Sequence, residues 1–202
     1  MRRSLAATAC LLLAAVSAPL LAAATASADT AFQFAVPGAR FPDDPDVSGI
    51  RLSLLHGRNQ STRGIDFGLL SMSETTTMSG ISFIGGVHRL HGDMSGGATF
   101  NVVNVHEGRD RGFNGAFVNL LTQPDGAFTV GFLNVARGAT LVDLGGINVS
   151  EGSVVQIGFL NVTSRLRAFQ FGFLNLAENG FVPVFPVFNF PIHRGASDRS
   201  SE

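Results

Sequence analysis

The stretches Ala127–Asn134 (AFTVGFLN), Val154–Asn161 (VVQIGFLN) and Ala168–Asn175 (AFQFGFLN) are three copies of one eight-residue phrase, and they decide the fold. Reading outward from them, the phrase closes at His56, Ser71, His88, Asn104, Asn119, Asn134, Asn148, Asn161, Asn175 and Asn189, at steps of 13–17 residues. A short period of this kind means one small structural unit stacked many times. Position 3 of the phrase is polar throughout: Arg51, Asp66, Ser82, Thr99, Asn114, Thr129, Asp143, Gln156 and Gln170. Its neighbours at positions 2 and 4 are mostly apolar, which is the alternation of a strand with two unlike faces. Positions 6 and 7 are then both apolar, as in Phe132-Leu133, Phe159-Leu160 and Phe173-Leu174. A straight strand cannot point two successive side chains the same way, so each repeat turns a corner there, with the Asn of position 8 beside it.

These features predict an all-β fold: a short parallel β-solenoid or β-roll of about ten 13–17-residue repeats. The alternative is an antiparallel β-meander closed into a small barrel. Outer-membrane barrels alternate short and long turns and carry Trp/Tyr girdles. Here the connections Ala136-Arg137-Gly138, Ser150-Glu151-Gly152 and Glu178-Asn179-Gly180 look alike, and the chain has no Trp or Tyr. The expected core is the apolar columns: Phe128, Val130, Phe132, Val155, Ile157, Phe159, Phe169, Phe171 and Phe173. Gln156 and Gln170 are expected to face solvent.

Residues 1–28 read as a signal peptide, with basic Arg2-Arg3, the apolar run Leu11–Leu21 and the cleavage pattern Ala26-Ser27-Ala28. Residues 29–48 are expected to cap the first repeat, 49–190 to form the repeat domain, and 191–202 to be a polar tail. Pro183 and Pro186 end the array, because proline cannot donate to a ladder. Export to the periplasm, the cell surface or the medium follows from the leader, and no later run is long enough for a transmembrane helix.

Removing Arg2 and Arg3 leaves 12 basic residues against 15 acidic, with no Lys. That balance gives no basis for nucleic-acid binding and removes Schiff-base lysine chemistry. The one Cys, Cys10, precedes the leader's apolar core, so the mature chain has no thiol. Asp43-Asp44-Pro45-Asp46 could ligate Ca²⁺ but reads better as a solvated turn. His88 and His91 are three residues apart, in a region that reads as strand and turn rather than helix. No nucleophile elbow, phosphate loop or dinucleotide fingerprint is present. No catalytic residue, metal or cofactor is therefore assigned. The sequons at Asn59, Asn148 and Asn161 carry little weight, since the last two belong to the repeat's Asn column.

The structural positions are the Asn column: Asn104, Asn119, Asn134, Asn148, Asn161, Asn175 and Asn189. A candidate interaction face combines the position-5 glycines Gly131, Gly145, Gly158 and Gly172 with Gln156 and Gln170. Repeated Gly on a strand marks a close approach, either of a partner or within the fold. The copies VVQIGFLNVTS and AFQFGFLNLAENG, with the FVPVFPVFNF ending, resemble an uncharacterised family of exported bacterial surface proteins with GLQIGLVN-type repeats. The resemblance spans roughly Gly49 to Phe190 and implies an exported surface protein without a known activity. A weaker similarity of rhythm links the repeats to the β-roll heads of trimeric autotransporter adhesins. The expected function is a non-enzymatic structural or binding surface in the bacterial envelope. Its expected partner is an unidentified protein or envelope component, a second copy of the chain included. A small outer-membrane barrel and an unrecognised enzyme are the alternatives.

Overall fold

In this computed structural model, which describes residues 29–192, the chain is a parallel β-solenoid. The strands are β1 (Thr30–Val36), β2 (Ala39–Phe41), β3 (Asp46–Leu90), β4 (Met94–Asp110), β5 (Phe113–Ala177) and β6 (Val184–Asn189). They form one sheet in the order β2-β1-β3-β4-β5-β6. The expected signal peptide, residues 1–28, and most of the expected polar tail lie outside the described residues.

Pairing is parallel from β1 to β3, β3 to β4 and β4 to β5, which rules out the antiparallel meander. Ile81 stacks on Ala98 and Ala98 on Phe113, so equivalent positions of the repeat lie directly above one another. β3 has 45 residues and β5 has 65, each several repeat periods long, so each winds through more than one turn. The corner expected at positions 6–8 is present. Phe132 and Leu133 turn outward together and Asn134 points in. In two early turns the residue at this corner is left-handed, Leu55 at φ 66° and Leu70 at φ 46°.

The solenoid is inside out relative to the expected core. Gln156 and Gln170 are 0% exposed, as are Arg51, Ser82, Thr99 and Asn114 of the same column. Phe128, Phe132, Ile157, Phe159, Phe169, Phe171 and Phe173 are exposed, with Phe173 at 68%, and Val130 and Val155 are half-buried. Alternation correctly separates two faces of the strand but does not say which one the coil encloses. Apolar side chains inside form two small plugs, Met78/Leu90/Met94 and Leu121/Ala127/Ala136, with Ala35, Val47, Ile84, Leu166 and Ala177 buried outside them.

What makes a polar interior tolerable is an asparagine ladder. Asn104 Nδ2 donates to Asn119 Oδ1, and the same bond runs on through Asn134, Asn148, Asn161 and Asn175 at 2.8–2.9 Å. Most of these amides also donate to a backbone carbonyl, Asn134 to Leu144 and Asn148 to Ile157. Buried amides cost little when every donor and acceptor is matched, and identical stacked amides match one another automatically. Beside the ladder, Asp143 accepts from Thr129, Thr140 and Gln156, and Gln170 donates to Gln156.

The glycine column exists to make room for this ladder. A Cβ on Gly158 would overlap the Gly145 carbonyl oxygen and lie 2.6 Å from Asn148 Nδ2, and Gly172 meets Asn161 Nδ2 at the same distance. The close approach is therefore internal. Gly131, Gly145, Gly158 and Gly172, with Gln156 and Gln170, form an inner wall and not an outer docking face.

The ends differ from the expected caps. β1 is itself a turn in repeat register, pairing Phe32 with Ile50 and Phe34 with Leu52, and β2 folds back antiparallel on its edge. At the other end β6 reverses direction and pairs with the last turn, Phe171 opposite Phe188 and Leu176 opposite Val184. The prolines thus occupy an edge strand that does pair on one side, and Asn189 turns inward to donate to the Val182 carbonyl.

Candidate functional site

With the interior closed by side-chain bonds, chemistry at the surface must come from what the turns present outward. Three features stand out.

The largest is apolar. Outward positions 4 and 6 carry runs of stacked rings along the rod. Phe67, Phe83 and Phe100 stack at 5.2 Å, Phe117 and Phe132 at 5.2 Å, and Phe159 and Phe173 at 4.8 Å with planes 3° apart. The rings repeat with the backbone spacing of a sheet, so the register of the strands sets the register of the columns. Phe-Leu at the corner faces outward because both residues flanking a convex bend point away from its centre.

The second is a charged ridge in the segment of each turn that follows position 8. It carries Arg58–Glu74 at 2.8 Å, Arg89–Glu107 at 2.6 Å and Arg111–Asp125 at 2.5 Å, then Arg137, Glu151, Arg165, Arg167 and Glu178. Partners sit one turn apart, so the ion pairs run along the axis. The Arg89 hydrogen bond to Glu107, with His91 adding to it, holds the Glu107 carboxyl below its usual range, and Arg111 does the same for Asp125. Burial alone would raise Glu74, but its bond to Arg58 and the charges of Arg58, His56 and His91 bring it below the ordinary value. Toward the N-terminal end the ridge borders an open groove of about 650 Å³ lined by Ala35, Gly38, Arg40, Phe41, His56 and Arg58. Its cations are matched by Asp43 and Glu74, and no Ser, Thr or Cys lines it.

The third lies inside. His106 Nδ1 bonds Asp110 Oδ2, and His106 Nε2 lies 3.3 Å from His88 Nδ1. If His106 donates to Asp110, its Nε2 is an acceptor and His88 Nδ1 is the donor, which leaves His88 Nε2 without a partner. Burial, then the neighbouring His106 and Arg51, pushes His88 well below the normal imidazole range, so it is neutral. Nearby, Arg51 pairs with Asp66 at 3.0 Å and with Ser73 at 2.7 Å, all fully enclosed. An acid–imidazole chain of this kind could move a proton, but with no exposed member it can reach no substrate.

Of the residues singled out from sequence, His88 and His106 come together while His91 goes to the ridge, bonding Glu107. Asp43 pairs with Arg40, and Asp44 accepts from Thr30 and from the Asp46 amide, as a turn does. Among the described residues no three His, Cys, Asp or Glu converge on a point where a metal could sit. The outward Phe columns are the surface feature the sequence reading missed, and the Phe-Leu doublet at the corner was the signal for them. Comparison with protein-family models, curated proteins and solved structures returned no match.

Proposed function

We propose that the protein is a non-enzymatic, exported bacterial repeat protein whose outer surface serves as a structural or binding surface in the cell envelope. The observation that carries this reading is the apolar exterior. Monomeric soluble proteins rarely expose contiguous apolar patches beyond a few hundred Å², and larger ones mark contact surfaces. The stacked Phe side chains recur over several turns of a rod whose inward polar groups are spent on its own interior. Export rests on the leader-like residues 1–28 and on the surface-repeat resemblance.

The test is chemical access in the native setting. Phe159→Cys and Glu151→Cys place a thiol on the apolar columns and on the charged ridge of neighbouring turns. In intact cells or native extracts, Phe159→Cys is expected to resist a water-soluble thiol reagent until the protein is denatured, whereas Glu151→Cys reacts at once. Equal reactivity would mean that the apolar surface is bare in its working state, and the reading would fail.

A further inference from the structure

We infer that the apolar exterior is covered by further copies of this same chain, packed side by side with their charged ridges outward. This rests on the preceding reading that the exterior is a contact surface, and it names the partner.

Area is the first argument. Phe117, Phe128, Phe132, Phe159, Phe171 and Phe173 are 41–68% exposed. A Phe side chain buries about 200 Å² when enclosed, so these six offer roughly 600 Å². Exposed Leu141, Val149 and Ile157 on the same turns add to it, toward the ~800 Å² per partner of a stable protein interface.

Periodicity is the second. Phe117 stacks on Phe132 at 5.2 Å and Phe159 on Phe173 at 4.8 Å, with Gly146 at the same position of the turn between the two pairs. Two columns interdigitate over many rungs only if their periods agree, and a second copy has the same period by construction. A partner of different spacing would fall out of step after a few turns.

The third argument sets aside the other apolar medium, a lipid bilayer. The charged ridge extends from Arg58 to Glu178. A rod standing across the bilayer would therefore drag ionised Arg, Asp and Glu through hydrocarbon. A rod lying in one leaflet would expose the unpaired outer edges of β2 and β6 to lipid, where backbone groups find no partner. The chain also lacks Trp, Tyr and Lys, the usual interfacial anchors. Protein surfaces accommodate all three features, since the ridge and the rod ends stay wet.

Analytical ultracentrifugation of the purified protein in detergent-free buffer tests this, alongside Phe132→Ser/Phe159→Ser/Phe173→Ser. The wild type is expected at a discrete multiple of the protomer mass. The triple variant should associate at least about tenfold more weakly while keeping its β circular dichroism, because the changed side chains lie outside the enclosed network. Should the triple variant lose that signal, Phe159→Ser alone reads the same shift. A wild-type protein that is monomeric or precipitates in buffer, yet partitions into phosphatidylethanolamine/phosphatidylglycerol vesicles through these Phe residues, overturns self-association and leaves the contact-surface reading standing. A monomer that ignores vesicles and matches the triple variant overturns both.

Discussion

The turns from Asn104 to Asn175 and those from Arg51 to His88 solve one problem in two ways. Both enclose polar side chains. In the later turns one residue type repeats, and each Asn from Asn119 to Asn161 bonds the Asn above and below it, although Gln170 beside the ladder keeps an unpaired Oε1. In the earlier turns the Asn position holds Ser71 and His88, and the neighbouring inner column holds Arg51 and Asp66, all of which must find individual partners. They succeed incompletely: Arg51 Nε and Nη2, Asp66 Oδ1 and His88 Nε2 have no protein partner. A repeated self-complementary residue satisfies itself at any height of the stack, whereas a mixed interior has to be solved afresh at each rung. The step is correspondingly even along the ladder, at 13–15 residues, and varies between 15 and 17 from His56 to Asn104.

The comparison can be broken first at the ladder. Asn148→Ala removes the acceptor for Asn134 and the donor to both Asn161 and the Ile157 carbonyl. Three groups left unmatched at ~1–3 kcal/mol each predict a loss of about 4 kcal/mol in urea unfolding at fixed protein concentration. A loss below 1 kcal/mol would show the ladder to be dispensable.

In the earlier turns a smaller effect and a rescue are expected. Asp66→Ala strands the buried Arg51 charge and should cost about 3 kcal/mol. Arg51→Met/Asp66→Leu removes both charges and should return to within about 1 kcal/mol of wild type, since enclosed ion pairs barely offset their own desolvation. No such rescue is available for Asn148, whose partners include backbone.

The smallest effect is a pH slope. His88 is held neutral in the fold, so below its ordinary pKa the unfolded chain binds a proton that the folded chain refuses. Stability should therefore fall as pH drops below about 6.5, by at most ~1.4 kcal/mol per pH unit from this group, down to its folded pKa. His88→Asn installs the residue that the later turns use. It should flatten the His88 part of that slope between pH 6.5 and 5. An unchanged slope would assign the acid sensitivity elsewhere.

The coil itself was legible in the sequence, because period and parity survive whichever way the strand faces. Its polarity was not. The usual inference puts Phe128 and Phe171 inside and Gln170 outside, since it assumes a core large enough for rings. A turn of 13–15 residues is too narrow for that, and Gly158 and Gly172 record how narrow: a methyl group does not fit beside Asn148 or Asn161. Read together, a Gly column and an Asn column on one face already point inward. The buried His88–His106–Asp110 chain was out of reach, because its members sit in different columns: His88 stacks on Asn104 and Leu90 on His106.

The reversed final strand, with Pro183, Pro186 and Pro191 around it, also bears on how such a chain can change length over evolutionary time. A gene duplication that inserts one more unit between Asn134 and Asn161 would set its Asn between two others with the bonds already described. Neither terminus would need to adjust, since β6 docks on whichever unit comes last. Growth and shortening are therefore mutations of the middle, and the two ends behave as fixed punctuation around a variable text.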